Sequence, residues 1–176
     1  MKILPPKQDL VSILGPNDFF LWEYYGKGLL GRIQGWIFRS RIKVLIKFLR
    51  KRKLECEKIL DVGCGPMLVS YSLVNNTTRE YIGVDIMSAD RLKRYRDAMR
   101  KLGVEVEAVR ASAEQLPFRN EAFDFALSLD VLEHLGKPKQ AVMEIHRVLK
   151  GDAMVAISLP LENLTQRMLR IGFMLM

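Results

Sequence analysis

The sequence predicts an α/β fold in which a mostly parallel sheet of five strands carries helices on both faces. Short apolar runs alternate with segments of helical spacing over the last two thirds of the chain. The first of these runs, Lys58–Val62, ends in glycines, as a strand buried on both faces does. About half of the 176 residues are apolar, so the chain is long enough to bury one core.

The predicted elements follow one another in a regular order. Strands are predicted at Lys58–Val62, Tyr81–Val84, Val104–Val109, Phe123–Ser128 and Ala153–Ser158, and helices at Met67–Val74, Ala89–Leu102, Pro138–Leu149 and Leu161–Arg170. Proline is favoured in the first turn of a helix and glycine just after its end, so Pro66 and Gly103 mark one helix start and one helix stop. Alternating units of this kind join parallel strands.

The first 54 residues differ in charge from the rest of the chain. They hold 12 Lys and Arg against 3 Asp and Glu, a net charge of +9, whereas the remainder holds 16 against 17, a net charge of −1. From Ile33 to Arg52, apolar residues recur at helical spacings between basic ones, which predicts a basic amphipathic helix. We therefore divide the chain into a basic helical N-terminal extension (1–54) and an α/β domain (55–176).

The sequence argues against a membrane-spanning or secreted protein, a disulfide framework and a metal site. No apolar run reaches the roughly 18 to 20 residues of a membrane-spanning helix, and the N-terminus lacks a secretory signal, so we expect a cytoplasmic protein. Two cysteines are too few for a disulfide framework. The cysteines and the two histidines have no metal-ligand spacing, so no metal site is predicted.

The loop after the first strand is the main candidate for ligand binding. It contains Gly63 and Gly65, and in a parallel sheet it lies at the carboxyl edge, where ligands bind. A Gly-x-Gly pair alone is equally compatible with an ordinary turn. Asp85, however, stands 20 residues beyond Gly65, close to the spacing expected for an acid that accepts ribose hydroxyls. Unless Asp85 is merely a solvated loop residue, the two features together predict a nucleotide-like cofactor on a Rossmann-like sheet.

Two other nucleotide-binding loops fit less well. The dinucleotide fingerprint would place a third glycine at position 68, where Leu68 stands, so an NAD-dependent oxidoreductase is the third hypothesis. The P-loop requires Gly-Lys-Ser or Gly-Lys-Thr after the strand, and neither is present.

The run 59–66, Ile-Leu-Asp-Val-Gly-Cys-Gly-Pro, resembles the first motif of class I S-adenosylmethionine-dependent methyltransferases, in particular the type-11 methyltransferase domain. Further stretches are similar to the later motifs of that family in order and spacing: 111–118, 123–126, 131–135 and 147–152. The resemblance covers roughly residues 56 to 160. It implies an enzyme that uses S-adenosyl-L-methionine and transfers its methyl group to an acceptor.

The resemblance also implies which residues bind the cofactor: Asp61, Gly63, Cys64, Gly65, Asp85, Ile86, Ser112 and Ala113. Asp61 would orient the loop, Ile86 would pack on adenine and Ala113 would supply backbone contacts. Ser112 replaces an aspartate that accepts a hydrogen bond from adenine, and a neutral acceptor makes that bond weaker. Met67 replaces a third glycine, and its side chain would either crowd the methionine carboxylate or cap the pocket.

To catalyse methyl transfer, the protein mainly has to align the acceptor atom with the methyl group, because the sulfonium of the cofactor already activates that group. A general base is optional. His134, after the fourth strand, is the candidate, since histidine is the side chain that most often removes a proton in general base catalysis. A purely positional role for His134 is the alternative, and Asp130 and Glu133 would equally shape the acceptor side.

The basic segment suggests a partner. Between residues 19 and 53, aromatic and basic residues are interleaved, which suits an anionic membrane surface. If the segment binds there, a lipid is the expected acceptor; a small molecule is the other acceptor class expected. There are two alternatives to membrane binding. The segment could bind a nucleic-acid backbone, or one face of its helix could simply pack on the sheet while the basic residues face solvent.

The C-terminal part is shorter than the resemblance implies, because the family's sheet normally has seven strands, the last two forming a hairpin. After the fifth strand only residues 161–176 remain, and they end in an apolar run at 171–176. Truncation, a partner or second copy covering the fifth-strand edge, or contact of the tail with a membrane would explain this. A truncated or degenerate cofactor-binding module is therefore the second hypothesis.

Overall fold

A computed structural model describes residues 4–18, 25, 28–51, 56–74 and 78–159. Its helices are α1 (Lys7–Leu14), α2 (Gly28–Lys51), α3 (Ser70–Leu73), α4 (Ala89–Lys101) and α5 (Pro138–Val148). Its strands are β1 (Cys56–Val62), β2 (Thr78–Asp85), β3 (Glu107–Arg110), β4 (Phe123–Leu129) and β5 (Leu149–Ser158), and a single 3-10 turn spans Leu132–His134. The predicted helix at 161–170, the apolar run at 171–176 and the aromatic residues 19–24 lie outside the described residues.

The five strands form one sheet in the order β3-β2-β1-β4-β5, and every neighbouring pair is parallel. In the central strand, Asp61 is paired with Gly83 of β2 on one side and with Leu127 of β4 on the other. The carboxyl ends of β1, β2 and β4 therefore meet at one edge of the sheet. This topology confirms the predicted α/β fold.

Helices cover both faces of the sheet. On one face, buried residues of α1, α2 and α4 pack with those of the sheet, including Leu10, Ile42, Met99, Ile59 and Phe125. On the other face, α5 packs through Ala141, Ile145 and Val148 against a second set of strand residues. The N-terminal helices thus share a core with the sheet, while the division of the chain at residue 54 stays a prediction.

Glycine ends α4 as the sequence predicts. Gly103 has φ +78°, its N–H donates to the Arg100 carbonyl at 2.9 Å, and the N–H of Val104 donates to the Met99 carbonyl at 3.0 Å. These two bonds form a Schellman motif, which satisfies carbonyls at the helix end. β3 begins at Glu107, where its pairing with Ile82 of β2 starts, rather than at the predicted Val104, whose N–H is bonded at the helix end.

Two predicted helix starts are wrong. The helix predicted at Met67–Val74 is reduced to Ser70–Leu73, since the left-handed backbone at Gly65 and Met67 (φ +50° and +56°) prolongs the loop, and Pro66 does not begin a helix. The basic helix begins at Gly28 rather than at the predicted Ile33, so it includes Gly28 and Gly31 despite the low helix propensity of glycine.

The boundary between α5 and β5 also differs from the prediction. The helix ends at Val148, one residue early, and the strand begins at Leu149 rather than Ala153. The carbonyl of Val148 accepts a hydrogen bond from Ala122 N–H at 2.8 Å, and Leu149 is paired with Phe123 of β4. Pairing with the start of β4 thus extends β5 backwards through Gly151.

Candidate functional site

The glycine loop after β1 is fixed by hydrogen bonds to the end of β2. The N–H groups of Gly63 and Cys64 both donate to the Val84 carbonyl, at 2.7 and 3.0 Å. Gly63 has φ +75°, and a Cβ built on it would lie 2.2 Å from Cγ2 of Val131, a residue that follows β4. The loop is therefore held between β2 and Val131, with no room for a side chain at position 63.

Asp85 is joined directly to this loop. Its Oδ2 accepts the N–H of Gly65 at 3.0 Å, and its Oδ1 accepts the N–H of Met87 at 3.0 Å. The carboxylate is half-buried at the carboxyl end of β2. A carboxylate has about four lone-pair sites, so two remain for hydroxyl donors of a ligand. The structure thus brings Gly63, Gly65 and Asp85 together, as predicted from the sequence.

The segment 111–113 lies beside Asp85, because the N–H of Ala111 donates to the Asp85 carbonyl at 3.1 Å. Ser112 is exposed and its Oγ accepts the N–H of Glu114 at 3.1 Å, whereas Ala113 is buried. Ile86 presents 71% of its surface to solvent at the end of β2. An exposed isoleucine next to Asp85 is an apolar surface that a flat ring could cover.

Asp61 lies beneath the loop, within β1. It is buried and its Oδ2 accepts the hydroxyl hydrogen of Tyr81, which is buried in the core on the same face. Burial raises the pKa of Asp61 to about 7, the Tyr81 hydrogen bond opposes that rise, and the nearby charge of Asp85 adds to it. Asp61 therefore acts from the core, by joining β1 to β2 under the loop.

Gly83, in the middle of β2, is a residue of the site that the sequence did not identify. A Cβ at Gly83 would lie 2.6 Å from Sγ of Cys64, so the absence of a side chain lets the buried Cys64 pack on the β2 backbone. Met67 is fully buried in the core, and its Cγ lies 3.2 Å from the same Cβ position. Only knowledge that the loop folds back over β2 would have identified Gly83.

A charged pair lies at the carboxyl end of β4. Nη1 of Arg41, in α2, donates to both oxygens of Asp130, at 2.8 and 2.6 Å. The hydroxyl of Ser158, at the end of β5, donates to Oδ1 of Asp130 at 2.9 Å. Asp130 was a candidate for the acceptor side, but Arg41 was not identified, since nothing local in the sequence connects residues so far apart.

His134 ends the 3-10 turn that follows β4. Its N–H donates to the Val131 carbonyl at 2.9 Å, and its side chain is exposed. Glu133, beside it, is exposed too. Both residues lie in the same turn as Val131, which covers Gly63, so the turn borders the glycine loop; a role in proton transfer stays a prediction.

Comparison with known proteins identifies the family. A family model described as a methyltransferase domain matches residues 60–157, which run from the end of β1 through β2, β3 and β4 to all but the last residue of β5. The chain belongs to this methyltransferase family. Membership implies S-adenosyl-L-methionine as the cofactor, as predicted from the sequence, and lends no support to a dehydrogenase.

Relatives of this methyltransferase domain include named enzymes. The chain is 32% identical over 100 residues to 24-methylenesterol C-methyltransferase 2 of Arabidopsis thaliana, covering 56% of this chain and 27% of the relative. It is 32% identical over 111 residues to ubiquinone biosynthesis O-methyltransferase of Maricaulis maris, covering 62% and 43%. The chain thus spans about a quarter to a half of the length of these curated relatives.

Solved structures share the fold. The PH0226 protein of Pyrococcus horikoshii superposes with a TM-score of 0.62 at 27% sequence identity, covering 77% of this chain and 63% of that one. In the part of the chain that the structure describes, no helix has the length and apolar content needed to cross a bilayer.

The site fits the family's cofactor. The loop leaves no space for a side chain at Gly63, and the Asp85 carboxylate retains acceptor capacity for ribose hydroxyls. The loop N–H groups of Gly63, Cys64 and Gly65 are engaged within the protein. The loop therefore fits a ligand through its shape, while the Asp85 carboxylate supplies acceptor oxygens.

Proposed function

We propose that the chain transfers a methyl group from S-adenosyl-L-methionine to a small-molecule or lipid acceptor. The observation that carries the proposal is the hydrogen bond from the Gly65 N–H to the Asp85 carboxylate, at 3.0 Å. It fixes the glycine loop and the acid at the end of β2 as one unit, which is the arrangement that a ribose next to a methionine chain requires.

The residues of the chain divide into three groups. Asp85 accepts ribose hydroxyls, with Ile86, Ser112 and Ala113 around the adenine. Gly63, Cys64 and Gly65 hold the methionine portion, and Asp61 supports them from the core. When bound, the cofactor supplies an activated methyl group, so the remaining task of the chain is to align an acceptor with it.

The acceptor side lies toward α2. Asp130 follows β4 at the same sheet edge as the glycine loop, and Arg41 brings α2 against it. An acceptor that enters there meets Asp130, Glu133 and His134, of which His134 is the candidate to take a proton from an attacking oxygen or nitrogen. A carbon acceptor would use the same groups for orientation.

The names of the relatives favour an apolar acceptor. One is named as a sterol C-methyltransferase and the other as an O-methyltransferase of ubiquinone biosynthesis. Because these names differ in the methylated atom, they support the class of acceptor more than the attacking atom. We therefore propose a hydrophobic acceptor, with a polar small molecule as the alternative.

Calorimetric titration tests the cofactor part of the proposal. We expect S-adenosylmethionine and S-adenosylhomocysteine to bind and NAD not to bind. Asp85→Ala should weaken the affinity at least tenfold, because hydrogen bonds to a charged group contribute roughly 1.5 to 3 kcal/mol. Asp152→Ala removes an exposed carboxylate from β5 and should change nothing. Equal affinity for NAD, or an unaffected D85A variant, would contradict the proposal.

Methyl transfer needs a separate measurement. Radiolabelled S-adenosylmethionine is incubated with the chain and with extracted lipids or polar metabolites, and label is expected in the lipid fraction. Cofactor binding without transfer to either fraction would favour the second hypothesis, a binding module that carries no methyltransferase activity.

A further inference from the structure

We propose that the outer face of α2 docks on an anionic membrane surface. This face, the outer stripe, consists of the exposed apolar residues Ile33, Trp36, Val44 and Phe48 and the exposed basic residues Arg32, Lys43 and Lys47. The proposal deepens the proposed function, on which it rests, because it names the surface from which a hydrophobic acceptor would reach the site.

Packing on the sheet accounts for only one face of α2. Ile42, Ile46 and Leu49 on the inner face are at most 5% exposed and belong to the core. The apolar residues of the outer stripe are not part of that face. Trp36 is 65% exposed and Val44 is 69% exposed. A helix that only covers the sheet has no need of large apolar side chains on its solvent side.

The spacing of the outer stripe places its residues on one side of the helix. Ile33 and Trp36 are three residues apart, Val44 follows eight residues after Trp36, and Phe48 lies four residues beyond Val44. With 3.6 residues per turn, these positions form a band along the helix over more than four turns. A band of this length lying flat can enter a bilayer interface along its whole length.

The charge of α2 matches an anionic surface. The helix contains seven basic residues and no acidic one; the basic residues are Arg32, Arg39, Arg41, Lys43, Lys47, Arg50 and Lys51. Lys43 and Lys47 flank Val44 and are both exposed, so their ammonium groups can reach lipid phosphates while the apolar side chains between them enter the interface. Attraction to the surface and burial of apolar area then act on the same face.

Other occupants fit the stripe less well. A nucleic-acid backbone would bind the lysines, but it would leave Ile33 and Val44 in contact with charged phosphates. A second copy of the chain would bring the lysines of two identical helices together, and like charges at an interface oppose association. An anionic bilayer is the partner that satisfies the apolar and the basic residues together.

Docking through this face would bring the acceptor side of the site near the membrane. Arg41 lies on α2 four residues after Ile37 and seven before Phe48, on the side adjoining the stripe. Arg41 donates hydrogen bonds to Asp130, so α2, the helix that would contact lipid, also borders the acceptor entrance.

Vesicle co-sedimentation of the full chain tests the proposal. We expect binding to vesicles of phosphatidylcholine with 30% phosphatidylglycerol and little binding to phosphatidylcholine alone. The double variant Lys43→Glu/Lys47→Glu should lower the partition coefficient more than tenfold, since each basic residue near an anionic surface contributes about 1 kcal/mol. Trp36→Ala/Val44→Ser should also weaken binding several-fold, whereas a purely electrostatic attraction would survive it.

A matched control separates the stripe from overall charge. Lys93→Glu/Lys101→Glu makes the same change in charge on α4, at two exposed positions, and should bind vesicles nearly as the unaltered chain does. Equal losses in both lysine variants would overturn the proposal. So would unchanged binding of the Trp36 and Val44 variant, or binding to a structured RNA with no vesicle binding.

A spectroscopic measurement gives a direct readout of contact. The chain has two tryptophans, and Trp22→Phe leaves Trp36 as the reporter. Its fluorescence should shift to the blue on anionic vesicles and be quenched by lipids brominated near the headgroup; an unquenched Trp36 would overturn docking through this face. Affinity for S-adenosylmethionine in solution should be unchanged in all of these variants, so a failure of docking is distinguishable from a failure of the proposed function.

Discussion

The Arg41 guanidinium and the Asp130 carboxylate tie α2 to the carboxyl end of β4. Nη1 of Arg41 lies 2.8 and 2.6 Å from the two oxygens of Asp130, although the two residues are 89 positions apart. Asp130 has φ +56°, and its N–H donates to the Ser158 carbonyl at 3.2 Å. The pair therefore holds a strained residue in place where α2, β4 and β5 converge.

Arg41→Gln should loosen this point without unfolding the chain. The side chains of the pair are 39% and 31% exposed, so its loss should cost less than about 1 kcal/mol of unfolding free energy. Hydrogen exchange at the Asp130 and Val131 amides should accelerate several-fold, and the affinity for S-adenosylmethionine should stay within twofold. Lys43→Gln, an exposed change on the same helix, should alter neither amide. Unchanged exchange in R41Q would mean that the pair does not order this segment.

A comparison of alanine substitutions at Gly63 and Gly103 separates the cost of backbone strain from the cost of a side chain that has no room. Both have a left-handed backbone, with φ +75° and +78°, but a Cβ at Gly103 meets nothing within 4 Å. Gly103→Ala should therefore cost about 1 kcal/mol, the strain alone. Gly63→Ala adds an overlap with Val131 and should cost roughly 2 to 4 kcal/mol. Urea unfolding measures both, and calorimetry should show weaker cofactor binding only for G63A.

Replacing Val131 tests whether that overlap is the cause. In Gly63→Ala/Val131→Ala the colliding methyl groups are gone, so the double variant should be more stable than the G63A variant, although the strain at position 63 remains. Additive losses in the double variant would show that Val131 is not the obstacle and that the loop moves elsewhere.

Met67 combines a strained backbone with a buried side chain. Met67→Gly removes a left-handed strain of about 1 to 2 kcal/mol but loses a fully buried side chain, a cost of roughly 2 to 5 kcal/mol. We expect net destabilisation and a cofactor affinity within threefold of the unaltered chain. Met99 is equally buried in the same core, so Met99→Ala is the control for a similar loss of stability. A tenfold gain in affinity for M67G alone would instead indicate that Met67 crowds the cofactor.

The features that the sequence predicts well are those that depend on near neighbours. Gly103 ends α4 through bonds to residues within one turn, and Asp85 follows a strand whose apolar run is evident. The shortened α3 was not predictable, because it depends on a methionine adopting a backbone that methionine rarely takes.

The features that the sequence does not predict depend on distant contacts. Arg41 is one of many basic residues in its segment, and only the folded chain shows that it reaches Asp130. Gly83 resembles any strand glycine until Cys64 folds onto it. The apolar residues of α2 predict an amphipathic helix, but the division between an inner face and the outer stripe follows from how α2 lies on the sheet.

Asp61 should make stability depend on pH in a direction unusual for an aspartate. Its ordinary pKa is 3.8 and its pKa in the fold is about 7, so the folded chain keeps a proton that the unfolded chain releases between these values. The stabilisation from the protonated group is complete below about pH 4 and is lost as pH rises through 7. Over the whole interval this amounts to at most about 4 kcal/mol.

Asp61→Asn isolates that contribution, because the amide oxygen can still accept the Tyr81 hydroxyl but does not titrate. Between pH 5 and pH 8, the unfolding free energy of the unaltered chain should fall by roughly 2 to 3 kcal/mol relative to D61N, since other titrating groups cancel in the difference. Asp152→Asn, at an exposed carboxyl, should show no such divergence. Urea unfolding at several pH values measures each curve, and parallel curves for D61N and the unaltered chain would mean that Asp61 is ionised throughout this range.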